Sequence, residues 1–166
     1  VLTPRTVDVL WNEFAAIESR HDKVDDAAKA IRFARRRELL RLALAAVLDT
    51  IDVQQLGRGL SDLTTATIRA TLALARRGLE GIEFAVIAMG RYGGEELGFS
   101  SDADIVWVFR DTGAGADAHK RAETIVKEIQ RLTEDLRFPL DLDSGLRPEG
   151  KNGPTVRSLD AYAAYY

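Results

Sequence analysis

Gly81 separates two kinds of sequence. Before it, apolar residues recur at helical spacing. After it come two apolar runs, Phe84-Ala85-Val86-Ile87-Ala88 and Ile105-Val106-Trp107-Val108-Phe109. The first is continuous and too short for a helix, so it fits a buried strand; the second is the most strand-like segment of the chain. The full order is helices, then strand, loop, strand, helix, strand. That order predicts an α+β fold, with N-terminal helices followed by a small mixed β-sheet.

The helical part divides into three. Thr3-Pro4 suits a helix start, and Val7, Leu10, Trp11, Phe14 and Ile17 follow at helical intervals. A second helix is expected from Asp25 to Leu48, carrying Arg35, Arg36 and Arg37. A third is expected to begin near Ser61, whose hydroxyl can cap, and to run to Arg77, with Gly78 ending it. Beyond the strands, Thr112 to Ala116 reads as a turn, Asp117 to Leu136 as a helix and Phe138 to Asp143 as a third strand. Ser158 resembles an N-cap, with Leu159, Tyr162 and Tyr166 along one face. The chain starts without Met and stops inside this last helix, so it reads as a fragment. The expected divisions are a helical subdomain over 1–80, a core over 81–150 and the start of a further helical region over 151–166.

Composition narrows the chemistry. The 166 residues include no cysteine, which excludes disulfides, a thiol nucleophile and Cys-ligated zinc or iron–sulfur sites. Two histidines, His21 and His119, exclude a His-rich metal site. A net charge of −3 does not mark a general nucleic-acid binder. No apolar run approaches the ~20 residues of a membrane span, and no signal peptide is visible. A cytoplasmic protein with neither nucleic acid nor membrane as partner is the expectation.

Asp102 and Asp104 open the second strand, just after Gly90-Arg91-Tyr92-Gly93-Gly94 and Phe99-Ser100-Ser101. Side chains at i and i+2 of a strand share a face. Two carboxylates beside a glycine-rich loop can hold divalent metal against a nucleotide triphosphate. Either Asp141 or Asp143 can supply a third. The glycines at 93 and 94 permit close backbone approach to phosphate, and Ser100 and Ser101 can donate to phosphate oxygens. Such a set suits nucleotidyl transfer with two Mg²⁺ ions and ATP. The plainer alternative is a turn followed by a strand that ends in solvent.

The stretch from Ala88 to Val106, AMGRYGGEELGFSSDADIV, resembles the signature of the glutamine synthetase adenylyltransferase family. Asp143-Ser144-Gly145-Leu146-Arg147-Pro148-Glu149-Gly150 resembles a second block of that family, as does the helical segment from Arg35 to Arg41. The resemblance runs from about residue 30 to the end. It implies a nucleotidyltransferase core of the DNA polymerase β-like superfamily and Mg²⁺-dependent transfer of AMP from ATP to a tyrosine of glutamine synthetase. Phosphorolytic removal of that AMP, on the same scaffold, is the alternative. The motifs look more like the C-terminal, adenylylating half of actinobacterial versions. Carried over, the pattern makes Asp102 and Asp104 the metal-binding pair and Asp143 the third carboxylate and base. Gly90, Arg91, Gly93, Gly94, Ser100, Ser101, Arg147 and Lys151 become the nucleotide-binding set. The family often has Lys at the position of Arg91, and Arg at the position of Gly145. It also implies control by a PII signalling protein acting on the full-length enzyme. A nucleotide-binding or docking module without activity is the third possibility.

Other features have plainer readings. The arginines 35–37 are expected to be a solvated helix face. Trp11 and Trp107 are expected in the core, Tyr92 in loop packing, and His119 in a structural role.

Overall fold

The computed structural model describes residues 2–165, so Tyr166 lies outside the described residues. Three helices come first: α1 (Val7–Ser19), α2 (Val24–Val47) and α3 (Val53–Ala75). Then follow β1 (Ile82–Ala88), a one-turn helix α4 (Gly90–Gly93), β2 (Ala103–Asp111) and α5 (Ala118–Thr133). Finally come β3 (Leu142–Asp143), β4 (Val156–Ser158) and α6 (Leu159–Tyr165). The expected α+β architecture with a small mixed sheet is what the chain adopts.

The sheet centres on β2. It pairs antiparallel with β1 along one side, and parallel with β3 and then β4 along the other. Alternation along β2 sets its two faces. Ala103, Ile105, Trp107 and Phe109 are buried against the helices, and Trp107 is fully enclosed with the Phe84 ring 6.0 Å away, centroid to centroid. Asp104, Val106, Val108 and Arg110 occupy the opposite face. One hydrophobic cluster runs from Leu10 and Phe14 of α1 through Leu63 and Leu74 of α3 to Ile125 and Ile129 of α5.

Several boundaries differ from expectation for local reasons. α3 begins at Val53, well before Ser61. Asp52 caps it: its side chain accepts from the Gln55 N–H at 2.7 Å, and the Gln55 side chain accepts from the Asp52 N–H at 2.9 Å. Ser61 is buried in mid-helix, its hydroxyl donating to the Gly57 carbonyl at 2.9 Å. α5 stops at Thr133, where the chain turns around the Asp135 carboxylate, which accepts from the Arg137 N–H at 3.0 Å. The third strand shrinks to Leu142–Asp143, because Pro139 has no N–H to give and α2 takes the carbonyls before it. The stretch after residue 150 adds a strand, β4, before its helix. No helix among the described residues is long and apolar enough to cross a membrane.

Candidate functional site

Strand register brings the three carboxylates together. Asp104 in β2 lies directly opposite Asp143 in β3, a pairing reinforced by the Ala103 N–H donating to the Asp141 carbonyl at 2.9 Å. Asp102, two residues before Asp104, shares its face. One oxygen from each of Asp102, Asp104 and Asp143 lies within 4.8 Å of the other two. Asp102 and Asp104 are half-buried and Asp143 is exposed. Asp141 is not in this set; its carbonyl serves the sheet. Three like charges at this separation repel unless a cation sits among them. Hard oxygen donors only, with no sulfur or imidazole, suit Mg²⁺ or Mn²⁺ rather than zinc or copper.

Each carboxylate is held differently. Gly90 lies against Asp104 with φ +50°, and a Cβ at that position would overlap the Asp104 carboxylate. The Met89 N–H donates to the Asp104 carbonyl at 2.8 Å, which pins the same corner. Asp143 accepts from the Gly145 N–H at 2.7 Å through one oxygen, and the other has no hydrogen bond among the described residues. Asp102 has Arg91 as a long-range partner at 3.8 Å, an exposed pair of small energetic weight.

The glycine-rich segment is a helical turn rather than an open loop. The Gly93 N–H donates to the Met89 carbonyl at 2.7 Å and the Gly94 N–H to the Gly90 carbonyl at 3.0 Å, so both are spent internally. The N–H groups of Gly90 and Arg91, in the first turn, have no intrahelical partner. Tyr92 is buried, with its hydroxyl 2.8 Å from the Thr65 hydroxyl; burial pushes its pKa up against that hydrogen bond. Ser101 accepts from the Gly98 N–H at 3.0 Å, while Ser100 is exposed.

The remaining expected binders sit on the loop between β3 and β4. Arg147 braces that loop, donating to the Ser144 carbonyl at 2.7 Å and the Gly153 carbonyl at 3.3 Å. Lys151 is exposed. His119 packs edge-on against Phe109 at 5.7 Å, away from the carboxylates.

Of the arginine run only Arg37 is exposed; Arg35 is buried and Arg36 half-buried. Arg35 is 8% exposed and donates to the carbonyls of Phe138 (2.7 Å) and Pro139 (3.4 Å), with its Nε buried and unpaired among the described residues. Burial pulls its pKa down to about 10, partly offset by the Asp135 charge, so it stays a cation at neutral pH. Arg36 bonds Asp135 at 2.8 Å, and Arg32 bonds the Leu132 carbonyl at 2.7 Å. Together these arginines of α2 anchor the segment that leads from α5 into β3, and so set where Asp143 stands. No local pattern announces this, because the partners lie about a hundred residues away. Arg35→Leu is expected to cost on the order of 2–3 kcal/mol in urea unfolding, since two buried carbonyls lose a charged donor.

Between α2 and this segment lies a cleft of ≈ 820 Å³ that reaches Ser100, Ser101 and Asp102, with Leu39, Phe99 and Phe138 among its walls. It is of a size that takes a small molecule.

Residues 3–166 match the model of the family described as glutamate-ammonia ligase adenylyltransferase. Similar proteins named bifunctional glutamine synthetase adenylyltransferase/adenylyl-removing enzyme occur in several bacteria. That of Leifsonia xyli subsp. xyli is 53% identical over 99% of this chain and 17% of its own length. Those of Cutibacterium acnes and Mycobacterium tuberculosis are each 39% identical, over 99% and 91% of this chain and 17% and 16% of their own lengths. The chain thus spans about 17% of the length of the curated relatives it matches.

Proposed function

The chain belongs to the glutamate-ammonia ligase adenylyltransferase family, and from that premise we propose that its three carboxylates transfer AMP from ATP to a tyrosine hydroxyl of glutamine synthetase. The observation that carries this reading is the convergence of Asp102, Asp104 and Asp143 within 4.8 Å. These residues would hold Mg²⁺, two ions in the full site, which neutralise charge at the α-phosphate and assist ionisation of the attacking hydroxyl. An unperturbed tyrosine has a pKa of about 10, so the acceptor needs a base at neutral pH. Asp143 is that base: one oxygen is fixed by Gly145 and the other is open to a proton. The tyrosine oxygen bonds to the α-phosphorus, the bond from that phosphorus to the bridging oxygen breaks, and pyrophosphate leaves.

The nucleotide phosphates meet the free N–H groups of Gly90 and Arg91, the Arg91 guanidinium and the Ser100 hydroxyl. Gly93 and Gly94 shape the turn and Ser101 closes its neighbour, while Arg147 and Lys151 flank the third carboxylate. We place the activity in the cytoplasm, within a longer protein whose control by a PII signalling protein belongs to the same proposal.

A second reading is favoured by the relatives' names, which carry both activities: a phosphate oxygen bonds to the phosphorus of AMP, the bond from that phosphorus to the tyrosine oxygen breaks, the tyrosine takes up a proton, and ADP is released. Transfer assays on the full-length enzyme, with glutamine synthetase and ATP or with AMP-modified glutamine synthetase and phosphate, decide the direction. Asp104→Asn assigns it to this site: the activity that disappears is the one these residues perform. Binding of ATP·Mg²⁺ with no turnover in either direction would instead leave a docking module.

A further inference from the structure

β1 is an edge strand. β2 pairs with it on one side, and β3 and β4 both lie beyond β2. The Met89 N–H donates to the Asp104 carbonyl, and the Thr112 N–H to the Gly81 carbonyl at 2.9 Å. Antiparallel pairing alternates, so positions 81, 83, 85, 87 and 89 turn their backbone groups to β2. Ile82, Phe84, Val86 and Ala88 turn theirs outward. Arg76 takes the Ile82 carbonyl at 3.1 Å. Among the described residues, nothing pairs with the outward N–H and C=O of Phe84 and Val86.

Beside this edge, the sheet face that carries Asp104 continues as a groove of ≈ 540 Å³. Ala85 and Ile87 of β1, Met89 just beyond it, Val106 and Val108 of β2, and Leu159 and Tyr162 of α6 line it. Ile87 is 45% exposed and Met89 37%. From Asp104 to Arg110 along β2 the face runs about 20 Å, the length of a six-residue extended segment. Its far end is closed by Arg110 and Glu83, which bond each other at 2.9 Å. The floor's backbone groups bond one another between β1 and β2, so the unpaired ones beside the groove lie along the outer edge, on Phe84 and Val86. An extended polypeptide brings its own backbone donors and acceptors for the edge, and alternate side chains for the groove. The edge runs out at Ala88, next to Gly90 and the Asp104 carboxylate against which it packs.

We propose that the β1 edge and this groove are the docking track of the acceptor protein. An extended segment of the acceptor adds to β1 as a strand, places apolar side chains in the groove and delivers its reactive residue to the carboxylates. The proposal rests on reading the three aspartates as a nucleotidyl-transfer site.

The test uses the full-length enzyme with Val86→Pro, which removes one edge N–H but no bond to β2, and Ile87→Lys, which puts a charge in the groove. Calorimetry with unmodified glutamine synthetase, without nucleotide, reads docking apart from turnover. Each variant is expected to weaken that binding about tenfold or more, and to raise KM for the acceptor while KM for ATP stays within about twofold. Should Val86→Pro not fold, Ile87→Lys and Ala85→Glu decide. Unchanged acceptor affinity overturns the proposal. So does a rise confined to the KM for ATP, which puts nucleotide in the groove. A lowered unfolding midpoint for Ile87→Lys with acceptor affinity intact overturns it too, because the groove is then covered by another part of the same polypeptide. Failure of the nucleotidyl-transfer reading shows separately, as transfer that survives Asp104→Asn.

Discussion

Asp104→Asn is expected to reduce AMP transfer by about a thousandfold or more in kcat while the protein stays folded. The side chain is nearly isosteric, so its packing against Gly90 survives. The backbone does not change: Met89 still donates to the residue 104 carbonyl, and β2 still pairs with β3. What disappears is one of three negative charges gathered within 4.8 Å. Losing about 4 kcal/mol of transition-state charge stabilisation corresponds to about a thousandfold in rate. Transfer of labelled AMP to glutamine synthetase measures the loss, and urea unfolding within about 1 kcal/mol of the parent shows that folding is not its cause. Undiminished transfer in a well-folded variant would remove Asp104 from the chemistry. Asp143→Asn separates the roles further. If Asp143 acts as base, its loss is partly recovered as pH rises toward the tyrosine pKa of about 10, because the acceptor then ionises unaided. The same rise in pH restores nothing to Asp104→Asn.

The elements legible in the sequence were those with strong local periodicity. α2 appears within a residue of its expected bounds, and β1 and β2 enclose their apolar runs, while α1 follows its apolar pattern but starts at Val7, behind Thr6, rather than at Thr3-Pro4. Asp102 and Asp104 were legible as a pair because period-two geometry needs no tertiary information. The choice between Asp141 and Asp143 was not legible from residues alone. It depends on register against β2, where residue 143 faces 104. The start of α3 was hidden by two glycines in its first turns. Both are there for close packing: a Cβ at Gly57 would sit 3.2 Å from the Glu95 carbonyl, and one at Gly59 would sit 3.0 Å from Leu42. The arginines of α2 look like a solvated face when only their own helix is considered. Arg35 takes the Phe138 and Pro139 carbonyls, which a longer β3 would have used, and Arg36 takes the Asp135 carboxylate, a trade that only the assembled chain reveals.

Gly90→Ala tests how tightly that assembly holds the carboxylates. Gly90 has φ +50°, which costs a residue with a Cβ roughly 1–2 kcal/mol, and its new methyl would overlap the Asp104 carboxylate. Either the turn unwinds or Asp104 moves. The expected result is a stability loss of about 2 kcal/mol together with a kcat lower by about a hundredfold, since a shift of about 1 Å in a reacting group has that effect. Gly94, four residues on, offers the contrast. Its φ is −82° and a Cβ there meets nothing closer than 3.6 Å. Gly94→Ala should therefore hold stability or raise it by about 0.5 kcal/mol, through a less flexible unfolded chain. Urea unfolding and AMP transfer on the two variants give the comparison. Equal behaviour would mean that the motif's glycines serve the flexibility of the turn. A loss confined to Gly90→Ala would mean that this glycine is small so that the backbone can lie flat against the carboxylate of Asp104.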